Sequence, residues 1–267
     1  MTGTHATQDG SGLFSVHGRT ALVTGGARGV GALIAQALVE AGATVYLTSR
    51  DAAAAEKTAA RLSLLGECFP LSADLATEEG CRALAEELTG RTGRLHLLVN
   101  GAGTLHSAPL EEFGDAGWDR VLQVNLKAVF HLTRFLRPAL EAAAEPGDPA
   151  RVVTIGATDG LHLPSAEAYS HAAGTAAVHQ LTRQLAGRLA PRIAVNAVAL
   201  GPFGPFGPFA SDAPPGRPAA DTVLRTPLGR AGGLDDLAGI IRFLGSRASA
   251  YLTGTVIPLD GGLALTR

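Results

Sequence analysis

The chain is poor in lysine. Of its 22 basic residues, only Lys57 and Lys127 are lysines. A coding bias toward Arg and Ala accounts for such a count, but any chemistry that needs a lysine amine has only these two to draw on. Cysteine is equally scarce. Cys68 and Cys81 make no disulfide framework, and neither has a Cys or His neighbour at zinc-ligand spacing, so a reduced, cytoplasmic setting is expected. There is no basic surplus: the formal net charge is −2, which argues against a general nucleic-acid footprint. No apolar run approaches the length of a membrane span. Residues 1–17 are polar, without an apolar stretch, and read as a loose tail rather than a signal peptide or anchor. What remains is a globular composition, 17% charged and 46% apolar, and 267 residues are ample for a sizeable core.

Short β-branched or Leu-rich runs alternate with long Ala-rich stretches. The runs Thr20–Thr24, Thr44–Thr48, Glu67–Leu71, Leu95–Asn100, Arg151–Ile155, Ile193–Val198 and Thr255–Pro258 read as strands. Helices are expected near 29–41, 52–65, 77–91, 115–144, 165–189 and 234–245, where apolar residues recur at spacings of three and four. Such alternation implies an α/β fold: a single Rossmann-type, doubly wound parallel sheet with helices on both faces, spanning 18–267 without a domain boundary. One segment is of low complexity. Gly201–Phe209 reads Gly-Pro-Phe three times and continues into the Pro-rich Asp212–Pro218, a long irregular connection of the kind that serves as a lid or binding loop.

The first strand runs into Thr24-Gly25-Gly26-Ala27-Arg28-Gly29-Val30-Gly31 and directly on into a helix. Glycines there permit the tight turn and let a pyrophosphate approach the helix N-terminus, whereas elsewhere in a chain with 34 glycines the same cluster would say little. Arg50 follows the second strand, where an acidic residue would bind a free ribose 2′-hydroxyl and an arginine favours a 2′-phosphate. With Arg28 in the glycine loop, two guanidiniums suit that phosphate by geometry and charge, so NADP(H) is expected over NAD(H).

These residues resemble the classical short-chain dehydrogenase/reductase family, whose Thr-Gly-x-x-x-Gly-x-Gly spacing this is. Asp74-Leu75 resembles its adenine-contacting position. Asn100-Gly101-Ala102-Gly103 resembles its Asn-Asn-Ala-Gly motif with the second Asn replaced, and Asn125 matches its catalytic-helix Asn. Tyr251-Leu252-Thr253-Gly254 and Asp260-Gly261-Gly262 are also similar. The likeness runs from about residue 18 to 263, and its second half is most like bacterial 3-oxoacyl-type ketoreductases. It implies dimers or tetramers, a small-molecule substrate, and cofactor contacts at Thr24, Gly25, Arg28, Gly29, Val30, Gly31, Arg50, Asp74, Leu75, Asn100, Gly101 and Ala102.

At the reacting end the chain departs from that pattern. The family carries a Ser that polarises the carbonyl, a Tyr that moves the proton, and a Lys four residues on that lowers the Tyr pKa. Laid without a gap on the segment ending Ala176-Ala177-Val178-His179-Gln180-Leu181, the pattern puts Ala157 at the Ser, His171 at the Tyr and Thr175 at the Lys. A second register uses Tyr169, with Ala173 where the Lys would be. Histidine as a residue type needs no lysine to act near neutral pH, so His171 is the preferred acid/base, with Tyr169 as back-up donor. Thr158 is a candidate for the missing hydroxyl. His162, His106 and Asp159 fall in loops that border the substrate in the family. No recognised metal spacing is present. Three functions stay open: an NADPH-dependent reductase acting on a carbonyl of an apolar, polyketide- or acyl-type substrate; a non-redox cyclase, dehydratase or isomerase; and a non-catalytic NADP(H)-binding subunit.

Overall fold

The computed structural model describes residues 10–163, 167–204 and 226–265. Most of the Gly-Pro-Phe segment and all of Asp212–Pro218 lie outside the described residues. Seven strands, β1 (Thr20–Thr24), β2 (Thr44–Ser49), β3 (Cys68–Ser72), β4 (Leu97–Asn100), β5 (Ala150–Ala157), β6 (Ile193–Leu200) and β7 (Val256–Leu259), form one sheet in the order β3-β2-β1-β4-β5-β6-β7, with every neighbour parallel. The helices are α1 (Gly10–Leu13), α2 (Gly29–Glu40), α3 (Ala52–Leu62), α4 (Glu78–Arg91), α5 (Asp115–Leu122), α6 (Ala128–Ala143), α7 (Tyr169–Leu189) and α8 (Leu234–Gly245).

The central strands are apolar on both faces because both faces are covered. Ala21 and Val23 of β1, with Leu97 and Val99 of β4, join the core beneath α2, α3 and α8. Leu22 and Leu98 point the other way, into a second core with α4, α6 and α7. Of the polar segment read over 1–17, Val16 is buried in the first core. Phe203, the described phenylalanine of the repeat, is buried there too, against Gly232. The chain starts at β1, winds outward to β3, then returns to β4 beside β1. The carboxyl ends of β1 and β4 therefore flank the point where the winding reverses, the usual ligand crevice of such sheets.

Two helices differ from expectation. The segment read as one helix over 115–144 is α5 and α6 joined by a wide π turn at Gln123–Lys127. α7 begins at Tyr169 rather than 165, and the Glu167 carbonyl just before it accepts from Ala108 N–H (3.2 Å) and Ser107 Oγ (3.0 Å) on the β4–α5 loop. The backbone there is committed across space instead of along a helix.

Candidate active site

The turn from β1 to α2 is built from groups that leave room at the backbone. Gly25 has φ +67°, and a Cβ on it would lie 2.8 Å from Ala102 Cα. A Cβ on Gly31 would lie 2.2 Å from the Gly25 carbonyl oxygen, so the helix can pack onto the turn only without a side chain there. Thr24 Oγ1 accepts from Gly101 N–H and Ala102 N–H, both at 3.0 Å, which locks the glycine turn to the end of β4. The carbonyl of Arg28 accepts from Ala32, so the amides of Gly29, Val30 and Gly31 precede the first intrahelical bond and form the positive end of α2. No acidic residue occupies that first turn. Arg28 and Arg50 are both exposed, and neither has an ion pair among the described residues. Asn100 is 3% exposed, and neither atom of its amide has a partner among the described residues, an arrangement that ordinarily points to a bound group or water. Donor-rich backbone, free guanidiniums and an orphaned buried amide fit a phosphorylated dinucleotide. Asp74 is exposed and caps the following turn through Ala76 N–H (3.0 Å). The Leu75 side chain is buried in the second core.

Past the ends of β4 and β5 the chain assembles a second constellation. Asn125 sits inside the π turn, a deformation often found at functional sites. Its Oδ1 accepts from Thr104 N–H (2.9 Å) and its Nδ2 donates to the Thr104 carbonyl (2.9 Å), so it ties the β4–α5 loop to the helix. The same Nδ2 lies 3.4 Å from His171 Nδ1. On the other side of the ring, His171 Nε2 is 3.7 Å from Asp159 Oδ2. The side chains of His171 and Asp159 are 20% and 31% exposed, enough for solvent and substrate to reach them.

The other candidates are placed elsewhere. Tyr169 donates to Glu167 Oε1 (2.9 Å) and stacks edge-on against Phe113. The bond to Glu167 pushes its phenol up from the usual range, with burial and the charges of Glu167 and Glu111 adding to the effect, so it is a weaker acid than a free tyrosine. Thr158 is buried and donates to the Leu200 carbonyl (3.3 Å), which turns its hydroxyl toward β6 instead of the cleft. His162 Nδ1 lies 3.0 Å from its neighbour's carbonyl at Leu163. His106 packs against Phe113 and over Gly117. Thr175 is buried with its methyl against Gly156 and Gly160. The cluster expected from three loop residues thus reduces to Asp159, one acidic residue just past β5. No group of three His, Cys, Asp or Glu side chains among the described residues could hold a metal ion.

Sequence reasoning passed over His179. It is 3% exposed, neither ring nitrogen has a partner among the described residues, and burial, with the charge of Arg183, pushes its pKa down. The ring fills the space where Gly156 and Gly160 have no Cβ, 3.0 Å from each position. Its spacing of four from Thr175 on a common helix face is the signal that was available.

Residues 25–264 match the family described as Enoyl-(Acyl carrier protein) reductase. A Pseudomonas aeruginosa protein, the rhamnolipids biosynthesis 3-oxoacyl-[acyl-carrier-protein] reductase, is 43% identical over 253 residues, covering 94% of this chain and 98% of that one. The chain belongs to the short-chain dehydrogenase/reductase family of oxidoreductases. The Pseudomonas aeruginosa RhlG/NADP active-site complex superposes with a TM-score of 0.88 at 42% identity, covering 95% of this chain and 99% of that one. A gluconate 5-dehydrogenase from Burkholderia cenocepacia, in complex with NADP and tartrate, gives 0.85 at 30% identity over 97% and 100% of the two chains. Members of this short-chain dehydrogenase/reductase family bind NAD(P), and the glycine turn is where this chain has residues to fit it. With lysine only at 57 and 127, this member contains no Tyr-x-x-x-Lys anywhere in its sequence.

Proposed function

We propose that the protein is an NADP(H)-dependent oxidoreductase acting on a carbonyl of an apolar, acyl- or polyketide-type substrate, with His171 supplying the proton. The observation that carries this reading is the position of the His171 ring, held between Asn125 and Asp159 at the carboxyl ends of β4 and β5. Gly25, Gly29, Gly31 and the amides at the start of α2 would hold the pyrophosphate, and Arg28 and Arg50 the 2′-phosphate. When bound, NADPH supplies a hydride to the carbonyl carbon. His171 gives a proton to the carbonyl oxygen, a role worth typically about 10²–10⁴ in rate. Asn125 keeps the β4–α5 loop and the ring in one arrangement. The apolar character of the substrate is supported by the cleft rim: Leu105 and Leu110 on one loop, Leu161 and Leu163 on the other, are all exposed.

NADPH oxidation followed with a panel of ketones and 3-oxoacyl thioesters tests the reading. Turnover is expected, with His171→Ala losing about 10²-fold and Tyr169→Phe staying within about twofold, because its phenol is already committed to Glu167. Bound cofactor with no oxidation by any carbonyl would reject it. A second reading, a non-redox acid–base enzyme, is favoured by the same Asp159–His171 pair, which needs no lysine. Product formed without a change in NADPH absorbance would select it. Binding of a partner unaffected by His171→Ala, with no activity found, would leave a non-catalytic subunit.

A further inference from the structure

We propose that Asp159 is a positioning residue of this site and that, with Asn125, it holds His171 as the Nε2–H tautomer, presenting one N–H to the substrate oxygen. The inference rests on the reading of His171 as proton donor. Its starting point is the Asn125 carboxamide, whose orientation is decided by two main-chain bonds to one residue. Thr104 N–H can only donate and the Thr104 carbonyl can only accept, so the oxygen faces the first and the nitrogen the second. The remaining N–H of Nδ2 points at His171 Nδ1, 3.4 Å away. A donor facing Nδ1 requires that nitrogen to be bare, and a neutral imidazole with a bare Nδ1 carries its proton on Nε2.

The far end of the ring agrees. Nε2 faces the Asp159 carboxylate, an acceptor and a negative charge, which draws the proton to the same nitrogen. At 3.7 Å the two are too far apart for a hydrogen bond, so the N–H is oriented without being consumed. The neighbouring hydroxyls do not compete for it: Thr158 is bonded to Leu200, and Tyr169 to Glu167. Among the described residues, the only polar contact left to the ring without Asp159 is the long one to Asn125.

The chemistry follows from this tautomer. A neutral imidazole N–H polarises a carbonyl by hydrogen bonding, as an electrophile rather than as a cation. As the carbonyl carbon receives hydride, the Nε2–H bond breaks and an O–H bond forms on the substrate oxygen. The imidazolate this leaves regains its proton at Nε2 from solvent beside the partly exposed Asp159, and the hydroxide so formed is neutralised in bulk water, so the net reaction consumes one hydride and one solvent proton. The carboxylate touches neither substrate nor cofactor in this scheme. It acts through the ring.

The test uses the full-length protein labelled with ¹⁵N at histidine. His171 is identified among the eight histidines as the signal missing in His171→Gln. Its spectrum is expected to show Nδ1 unprotonated and Nε2 protonated. Asp159→Ala is expected to lower kcat about tenfold to a hundredfold by misplacing the donor, with KM and NADPH affinity within about twofold. Asp159→Glu is expected to recover most of the rate, and Asp159→Asn, which keeps the shape without the charge, to fall between. A ring protonated on Nδ1 would overturn the proposal, as would an Asp159→Ala variant with unchanged kcat. The parent reading fails separately, if His171→Ala keeps the full reductase rate. The nitrogen spectrum decides the tautomer even where no substrate turns over.

Discussion

Arg50 is the residue we propose to carry the choice of nucleotide. It stands exposed just past β2, opposite the glycine turn that holds Arg28, and no carboxylate among the described residues neutralises it. Arg50→Asp is expected to weaken NADP(H) binding at least about tenfold while NAD(H) changes far less, as read by titrating each cofactor into the variant. Equal losses for both would place the 2′-phosphate elsewhere. The glycine turn was legible in the sequence because it is made of contiguous backbone between β1 and α2. The reacting end was less so. His171 emerged from its neighbours in sequence, but its partnership with Asp159 joins helix α7 to the loop after β5, and the candidates Thr158 and His162 share that loop with Asp159 without sharing its direction. Only the path of the β5–α7 turn separates them: it turns the Thr158 hydroxyl to Leu200 and leaves Asp159 facing the ring.

At the level of elements, α7 carries the most consequence. Its inner face presents His171, Thr175 and His179 on successive turns, the first to the cleft and the last to a slot between Gly156 and Gly160. Burial holds the His179 ring neutral, with its pKa below the ordinary value of 6.5, so the unfolded chain binds a proton that the native state resists. Stability from this site is therefore present above about pH 6.5 and lost as the pH falls below it. His96, also lowered by burial, acts in the same sense. His179→Leu is expected to flatten the decline in unfolding free energy between pH 7 and 5, as measured by urea titration. A decline as steep as in the parent would show that the slope arises elsewhere. The strand–helix order was readable from periodicity alone. The π turn was not, because the apolar spacing passes through 115–144 without interruption and the change of partner lies in the contacts: α5 packs on α7, and α6 on α4 and β5.

For the molecule as a whole, the amino-terminal end of the central strands, opposite the cleft, is held by charge as well as by apolar packing. Arg151 is fully buried, and its guanidinium is bonded to Asp148 (2.5 Å), the Pro149 carbonyl and the Ser246 carbonyl (2.7 Å). Burial pulls its pKa down and Asp148 partly restores it. Asp148 also takes Arg19 at 2.7 Å, so one carboxylate joins the chain before β1 to the start of β5. Asp148→Ala strands a buried cation and is expected to cost about 3–5 kcal/mol in equilibrium unfolding. A loss under about 1 kcal/mol, the range of a surface pair, would mean that the carbonyls alone satisfy Arg151.

The wide turn at Gln123–Lys127 has a mechanical consequence. Upstream of it, α5 leans on α7, with Leu122 meeting Gly174; downstream, α6 is seated in the second core through Ala128, Leu132 and Leu136. The turn is thus the joint between a limb that borders the cleft and a limb anchored in the interior. Asn125, whose amide nitrogen lies 3.4 Å from the His171 ring, is mounted on that joint. On the proposed function, a load placed on α5 by an arriving substrate would reach His171 through the same few residues, and gripping the substrate and aiming the proton would become one movement.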